Sequence, residues 1–320
     1  MVQANQSTPM VTSFGEALID MIAQSDGAYM PAPGGSPMNV AVALGRQGIN
    51  ASIVTPISTD EFGQMLIRHL ENSNVDTSRV TFTKAPTTLA MATMSMLGEA
   101  KFSFYIDGCS QGELGYEVLS EQVGEVDFLF IGGSFALAIS HMTKSFDELL
   151  HYVSSSQKPK TIFFDPNIRE AVIGDKWSLV KHNFERWVSQ STIVKASDVD
   201  LNWLYPGEPY SKIAQDWVDN FGVKLAIVTR ADKGAFAYTS KVQVSMPARS
   251  IAVVDTLGSG DAFTAGMIKW LINNNKYHPE DIALLNEVEL ESALDSAIEL
   301  SGDTCRREGS DPPFLIDQAS

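Results

Sequence analysis

Apolar residues in this chain come in short unbroken runs that alternate with stretches of helical spacing. Phe128 to Gly132 (FLFIG), Thr161 to Asp165 (TIFFD), Thr192 to Lys195 and Leu225 to Thr229 (LAIVT) read as buried strands. Between them, Phe146, Leu149, Leu150 and Val153, and later Ile213, Trp217 and Phe221, recur every three or four residues, as one face of a helix requires. Strand and helix in alternation predict an α/β fold with a mostly parallel sheet and helices on both faces. Ligands in such sheets bind at the carboxyl ends of the strands.

The stretch from about Thr83 to Ile106 breaks this rhythm. Ala90–Thr93, Thr93–Leu97 and Lys101–Ile106 read as extended pieces around a Gly98-Glu99 turn. No long helix separates them, so they are expected to pair antiparallel. Phe14 to Ala32 looks similar and turns at Ser25-Asp26-Gly27. Together they predict a small β lid, built from insertions at about 14–32 and 83–107, over one main α/β unit. The whole chain, 1–320, then reads as a single domain. The Pro-Gly segment PAPGGSP (31–37) returns the chain to a helix starting near Met38.

Composition narrows the function. The chain has 320 residues, 44% hydrophobic and 19% charged, enough to bury a core without disulfides. With 23 Lys and Arg against 39 Asp and Glu, its net charge is −16. Such a surface repels phosphate backbones and anionic bilayers, which argues against nucleic-acid and membrane partners. A local nest of backbone N–H groups can still bind a small anion. The two cysteines, Cys109 and Cys305, form no framework. MVQANQSTPM shows no secretory pattern, and the longest mostly apolar run, Phe128 to Ile139, is too short to span a bilayer. A cytoplasmic protein is expected.

The chemistry concentrates in two segments. In DTLGSGDAF (255–263), a β-like run from Ser250 to Val254 leads into Gly258-Ser259-Gly260. A helix with Phe263, Met267, Trp270 and Leu271 on one face follows. Glycines at a helix N-terminus let successive N–H groups converge on one phosphoryl group. Asp261, in the first turn, is either within reach of the attacking group or a simple N-cap. In PGGSPMNVAVALGRQG (33–48), Gly34-Gly35 makes a turn and Asn39 could bond ligand hydroxyls or local backbone.

These two segments resemble the signatures of the ribokinase-like (PfkB) carbohydrate kinases. FGEALIDMI (14–22), FDPNIR (164–169), VKASDVDL (194–201) and TCRREGSDPP (304–313) are similar to the fructokinase branch, in family order along nearly the whole chain. The resemblance implies a three-layer α/β/α fold and transfer of the ATP γ-phosphate to a primary sugar hydroxyl. D-fructose, giving fructose 6-phosphate, is the first expectation. It implies that Asp20, Gly34, Gly35, Asn39 and Tyr105 contact the sugar and that Asp261 is the general base. Gly258, Ser259 and Gly260 would form the anion hole, with Arg169 near the transferred phosphate or the substrate. Lys195, Thr229 and Gly234 would line the nucleotide site. Asp200 would influence Mg²⁺. Asp255, with the loop from Arg306 to Ser310, would be the candidate for a monovalent cation such as K⁺. A homodimer through the lid is also implied.

Some positions depart from the family pattern. Ser259 replaces the usual alanine, Ser197-Asp198-Val199-Asp200 replaces Asn-x-x-Glu, and VTRADKG replaces VTLGEKG. Ile106 stands where a lid arginine would pair with a keto-acid carboxylate, so a neutral sugar is favoured. The alternatives are a kinase for 2-keto-3-deoxygluconate, ribose or a nucleoside, and a regulatory protein that binds sugar without catalysis. A hydrolase reading rests on Gly108-Cys109-Ser110-Gln111-Gly112, which needs a parallel strand before it and a packed helix after it. The five tryptophans read as core, and the acidic run from Glu287 to Glu299 as a solvated helix face.

Overall fold

A computed structural model of the chain describes residues 9–24, 26–94, 100–113, 126–155 and 160–315. The expected turn at Gly98-Glu99, and Ser25 of the other turn, lie outside the described residues. In chain order the elements are β1 (Val11–Phe14), β2 (Leu18–Ala23), β3 (Tyr29–Gly34), α1 (Ser36–Arg46), β4 (Ala51–Val54), β5 (Pro56–Ser58), α2 (Glu61–Asn72), β6 (Val75–Asp76), β7 (Thr81–Thr83), β8 (Leu89–Met94) and β9 (Ala100–Tyr105). They continue with β10 (Phe128–Gly132), α3 (Ser134–Ala138), α4 (Ser140–Ser154), β11 (Thr161–Asp165), α5 (Glu170–Ile173), α6 (Trp177–Val188), β12 (Ile193–Ser197), α7 (Asp198–Leu204), α8 (Tyr210–Asn220) and β13 (Leu225–Thr229). β14 (Ala235–Tyr238), β15 (Gln243–Met246), α9 (Ser259–Asn273), α10 (Pro279–Ala283) and α11 (Glu287–Cys305) complete the order.

Among the described residues, nine strands form one sheet in the order β15-β14-β13-β12-β11-β10-β1-β4-β6. From β13 to β6 all neighbours pair parallel, and the β13-β14-β15 edge is antiparallel. The strands alternate their side chains between two cores. Phe128, Phe130, Phe163, Ile193 and Ile227 meet Val40, Leu44, Met267, Leu271 and Leu294 of α1, α9 and α11. Leu129, Ile131, Phe164, Val194 and Val228 meet Phe146, Leu149, Phe184, Trp187 and Trp217 of α4, α6 and α8. Both faces are covered, which is why these strands read as unbroken apolar runs. Trp187 stacks on Phe146 at 5.1 Å and meets Phe164 edge-on at 5.7 Å.

A second sheet has the order β3-β2-β8-β9. Its two hairpins are antiparallel, as expected, and they join through a parallel β2-β8 pair. It begins at Leu18 rather than Phe14, because Phe14 is the last residue of β1 and packs in the main core. Other expectations shift too. Helix α1 starts at Ser36, two residues before Met38, since Pro37 fits the first helical turn. Ser250 to Val254 is not a strand. Val253 and Val254 are 58% and 57% exposed, and the segment is held by amides of Val254 and Asp255 on the Cys305 carbonyl. Trp187 and Trp217 are core, whereas Trp177 is 38% exposed and bonds the Trp203 carbonyl. The acidic face of α11 is solvated, with Glu289 paired to Lys276 and with Asp295 and Glu299 on Arg249.

Candidate active site

The parallel strands all end at one edge of the large sheet. Glu16 follows β1, Gly133 follows β10, and Asp165, Ser197 and Thr229 close β11, β12 and β13. The first turns of α1 and α9 point into the same edge, and α1 packs on α9.

The start of α9 is a set of free backbone donors. Gly258 is left-handed, with φ of 73°, and a Cβ there would sit 2.0 Å from Ser310 Oγ. Only glycine satisfies both the angle and the contact. Asp255 pins this loop: Oδ1 accepts the Leu257 N–H at 3.0 Å and Oδ2 the Gly309 N–H at 2.9 Å. The Ser259 N–H is spent on the Thr256 carbonyl at 3.2 Å. The amides of Gly258, Gly260 and Asp261 have no acceptor among the described residues. They form an anion-binding nest reinforced by the helix dipole. Below it, a Cβ on Gly260 would lie 3.5 Å from Lys195 Nζ. Lys195 and Asp165 form a buried ion pair, so a fixed positive charge underlies the nest.

Asp261 faces this nest from the side of α1. Its Oδ1 accepts the Ser36 hydroxyl at 2.7 Å, and its Oδ2 accepts Asn39 Nδ2 at 2.9 Å. It is therefore not spent as an N-cap. Burial pushes its carboxyl above the ordinary range, and the two hydrogen bonds with the charges of Lys195 and Arg169 pull it back. Asp20, on β2, is pushed by burial to about 6, against the opposing charge of Arg169 and with Asp261 adding repulsion. A Cβ on Gly34 would lie 2.1 Å from Asp20 Oδ2, so the Gly34-Gly35 turn leaves room for that carboxylate. Arg169 is exposed on the loop after β11. That loop is tied down where Ile168 N–H donates to Asp200 Oδ1 at 2.8 Å.

Two acidic residues without an assigned role stand here as well. Glu16, in the GEALID segment, is 7% exposed, and burial pushes its carboxyl to about 8. Asp165 pairs with Lys195. An acidic residue just after or ending a buried parallel strand was the available sign of both.

The remaining expected positions behave differently. Asp200 caps α7: its Oδ2 accepts both the Ser197 N–H at 2.8 Å and the Ser197 hydroxyl at 2.6 Å, so both of its oxygens are engaged. Tyr105 pairs with Leu89, and Leu89 with Ile19. Side chains alternate along a strand, so Tyr105 lies on the opposite face of the small sheet from Asp20. Phe104 shares Asp20's face through the Asp20–Ala90–Phe104 row. Thr229 ends β13 beside Ser197. Gly234 sits where a Cβ would be 2.0 Å from the Met246 carbonyl, so its place is set by backbone packing. Ser110 lies in a 3-10 turn after the antiparallel β9, is 1% exposed and is bonded by the Thr88 N–H at 3.3 Å. That is no nucleophile elbow, and the hydrolase reading falls.

The chain matches the pfkB family of carbohydrate kinases over residues 8–312. It belongs to that family. This kinase is 33% identical to a fructokinase of Rhizobium leguminosarum bv. trifolii over 290 residues, 89% of this chain and 87% of the relative. The fold is ribokinase-like. A fructokinase from Xylella fastidiosa with bound ATP superposes with a TM-score of 0.86 at 23% identity, covering 98% of this chain and 99% of that one. A double mutant of a fructokinase from Vibrio cholerae O395, with fructose, ADP and potassium ion bound, superposes with a TM-score of 0.84 at 23% identity and 99% coverage of both chains. The kinase is thus a phosphotransferase with a hydroxyl acceptor. Among the described residues no helix is long and apolar enough to cross a membrane.

Proposed function

We propose that the chain is a fructokinase, moving the ATP γ-phosphoryl group to the primary hydroxyl of free D-fructose. The observation that carries this is Asp261. It is an oriented, buried carboxylate next to unpaired amides at a helix N-terminus, with a lysine beneath and an arginine opposite. Phosphoryl transfer needs alignment and charge neutralisation more than covalent help. Asp261 takes the proton of the attacking hydroxyl. The amides of Gly258, Gly260 and Asp261, with Lys195 and Arg169, stabilise negative charge on the transferring group. Asp20, Asn39 and the Gly34-Gly35 turn hold the sugar hydroxyls. The nucleotide runs along the ends of β12 and β13, past Thr229 and Gly234.

Among the described residues no three His, Cys, Asp or Glu side chains gather as a metal cage. Mg²⁺, which usually keeps its waters and rides on nucleotide phosphates, would neutralise phosphate charge there. Asp200 then serves to hold the Arg169 loop. Asp255 and the 306–310 loop, already stitched together, would hold K⁺. The small sheet acts as a lid that excludes water from the site. Its exposed Tyr29 and Tyr105, on the face away from Asp20, suit a homodimer contact. Ile106 offers no charge to a carboxylate, which favours a neutral sugar over a keto acid.

The test is ADP release from MgATP with fructose, glucose, mannose, ribose, 2-keto-3-deoxygluconate, adenosine and no acceptor. Turnover on fructose well above all others is the expected result. Stronger turnover on another acceptor would move the substrate, and none above the blank would sink the kinase assignment in favour of a sugar-binding protein.

A further inference from the structure

Asp261 must be ionised to accept a proton, yet it is buried beside other acids. Three carboxyl groups, Glu16, Asp20 and Asp165, and two cations, Lys195 and Arg169, act on it. What keeps one carboxylate ionised and aimed in such company is local hydrogen bonding. Asn39 supplies one bond, but its amide is also needed for the sugar. Ser36 is 4% exposed and gives its hydroxyl to Asp261 Oδ1 at 2.7 Å.

Ser36 is itself held from outside its helix. Gly35, the N-cap of α1, offers no side chain, and its backbone has φ of 105°. A Cβ on Gly35 would lie 2.5 Å from the Glu16 carbonyl, so the two segments touch. The Glu16 carboxyl lies buried beside this turn. Its other side is closed by Gly133, where a Cβ would fall 2.0 Å from Oε2. Ser13 Oγ donates to the Pro37 carbonyl at 2.6 Å and fixes the same turn. The first turn of α1 is thereby anchored to the segment from β1 into the β1–β2 loop.

We propose that Ser13 and Ser36 form a positioning chain for the general base, Ser13 fixing the turn that carries Ser36 and the Ser36 hydroxyl keeping Asp261 aimed. This rests on the reading of Asp261 as the base. Neither residue touches the reacting atoms in this scheme, so both act through Asp261.

The test compares wild type, Ser36→Ala, Ser36→Cys, Ser36→Thr and Asp261→Asn in kcat and KM from pH 5.5 to 9.5, at saturating MgATP with the acceptor identified above. A hydrogen bond to a charged group is worth enough to move the acid limb of kcat upward by about one pH unit when it is lost. Ser36→Ala should show that shift, with kcat up to about tenfold lower on the acid side of the limb, near wild type on its alkaline plateau, and KM changed less than twofold. Ser36→Cys, of similar shape but a weak donor, should shift the same way. It also stands in if Ser36→Ala fails to fold. Ser36→Thr restores the hydroxyl and should restore the profile. An unmoved limb in both Ser36→Ala and Ser36→Cys, with Asp261→Asn inactive, would overturn the positioning chain alone. Wild-type turnover by Asp261→Asn would overturn the base and the chain together.

Discussion

At the scale of single residues, the site sets the cost of burying Asp261 against its supply of donors. Burial favours its protonated form, and a protonated carboxyl cannot accept the sugar proton. Ser36, Asn39, Lys195 and Arg169 each act against that tendency without cancelling it. Asp261→Asn removes the proton acceptor and keeps the shape. We expect kcat to fall roughly 10²- to 10⁴-fold, the usual contribution of a positioned base. Sugar affinity, read by calorimetry, should stay within a few-fold, because Asp20 and Asn39 remain. A kcat within tenfold of wild type would mean that the proton leaves by another route. Asp20, at about 6, is the second carboxyl whose ionisation the site controls. Arg169 favours its charged form, and Asp261 opposes it.

At the scale of elements, the decisive feature is the junction of loop 255–258 with α9. Gly258→Ala puts a Cβ where Ser310 Oγ stands and forces a left-handed angle on a residue that resists it. The strain is about 1–2 kcal/mol before the collision is counted. The N–H groups should turn away from the phosphate, so kcat should drop at least tenfold while the thermal midpoint changes by only a few degrees. A variant with unchanged kcat would show that these amides do not hold the transferring group. This junction was legible in the sequence, because Gly-Ser-Gly-Asp before a helical repeat has few other uses. The strands β10 to β13 were legible for the same kind of reason: covered on both faces, they leave unbroken apolar runs. Other features lay beyond one-dimensional reading. Ser36 and Asp261 are 225 residues apart, and nothing in GGSPMN says which carboxylate its serine will meet. The face taken by Tyr105 depends on strand parity, and a shift of one residue exchanges it with Phe104. Ser250 to Val254 looks like a strand by composition, but the Cys305 carbonyl takes the Val254 amide, and the next one at Asp255, where a neighbouring strand would have.

At the scale of the whole molecule, an acidic chain has gathered buried acids at the edge where its parallel strands end. That arrangement has a proton cost, and Glu16 shows its sign. Its carboxyl rises from an ordinary 4.5 to about 8 in the folded chain, chiefly through burial. Between those two values the folded state therefore binds more proton than the unfolded one. Stability contributed at this position is fully present below about 4.5 and is lost as pH rises toward 8. Asp20 acts in the same direction between 3.8 and about 6. A neutral amide of the same shape at position 16 has no such dependence. We expect urea unfolding of wild type and Glu16→Gln, measured from pH 5 to pH 8.5, to diverge steadily. The variant should gain on the order of a few kcal/mol relative to wild type across that range. Parallel stability curves for the two proteins would mean that Glu16 titrates as an ordinary carboxylate and is ionised throughout. The divergence is largest at the alkaline end, so a carboxyl buried beside the base makes the folded site less stable over the pH range in which that base is ionised.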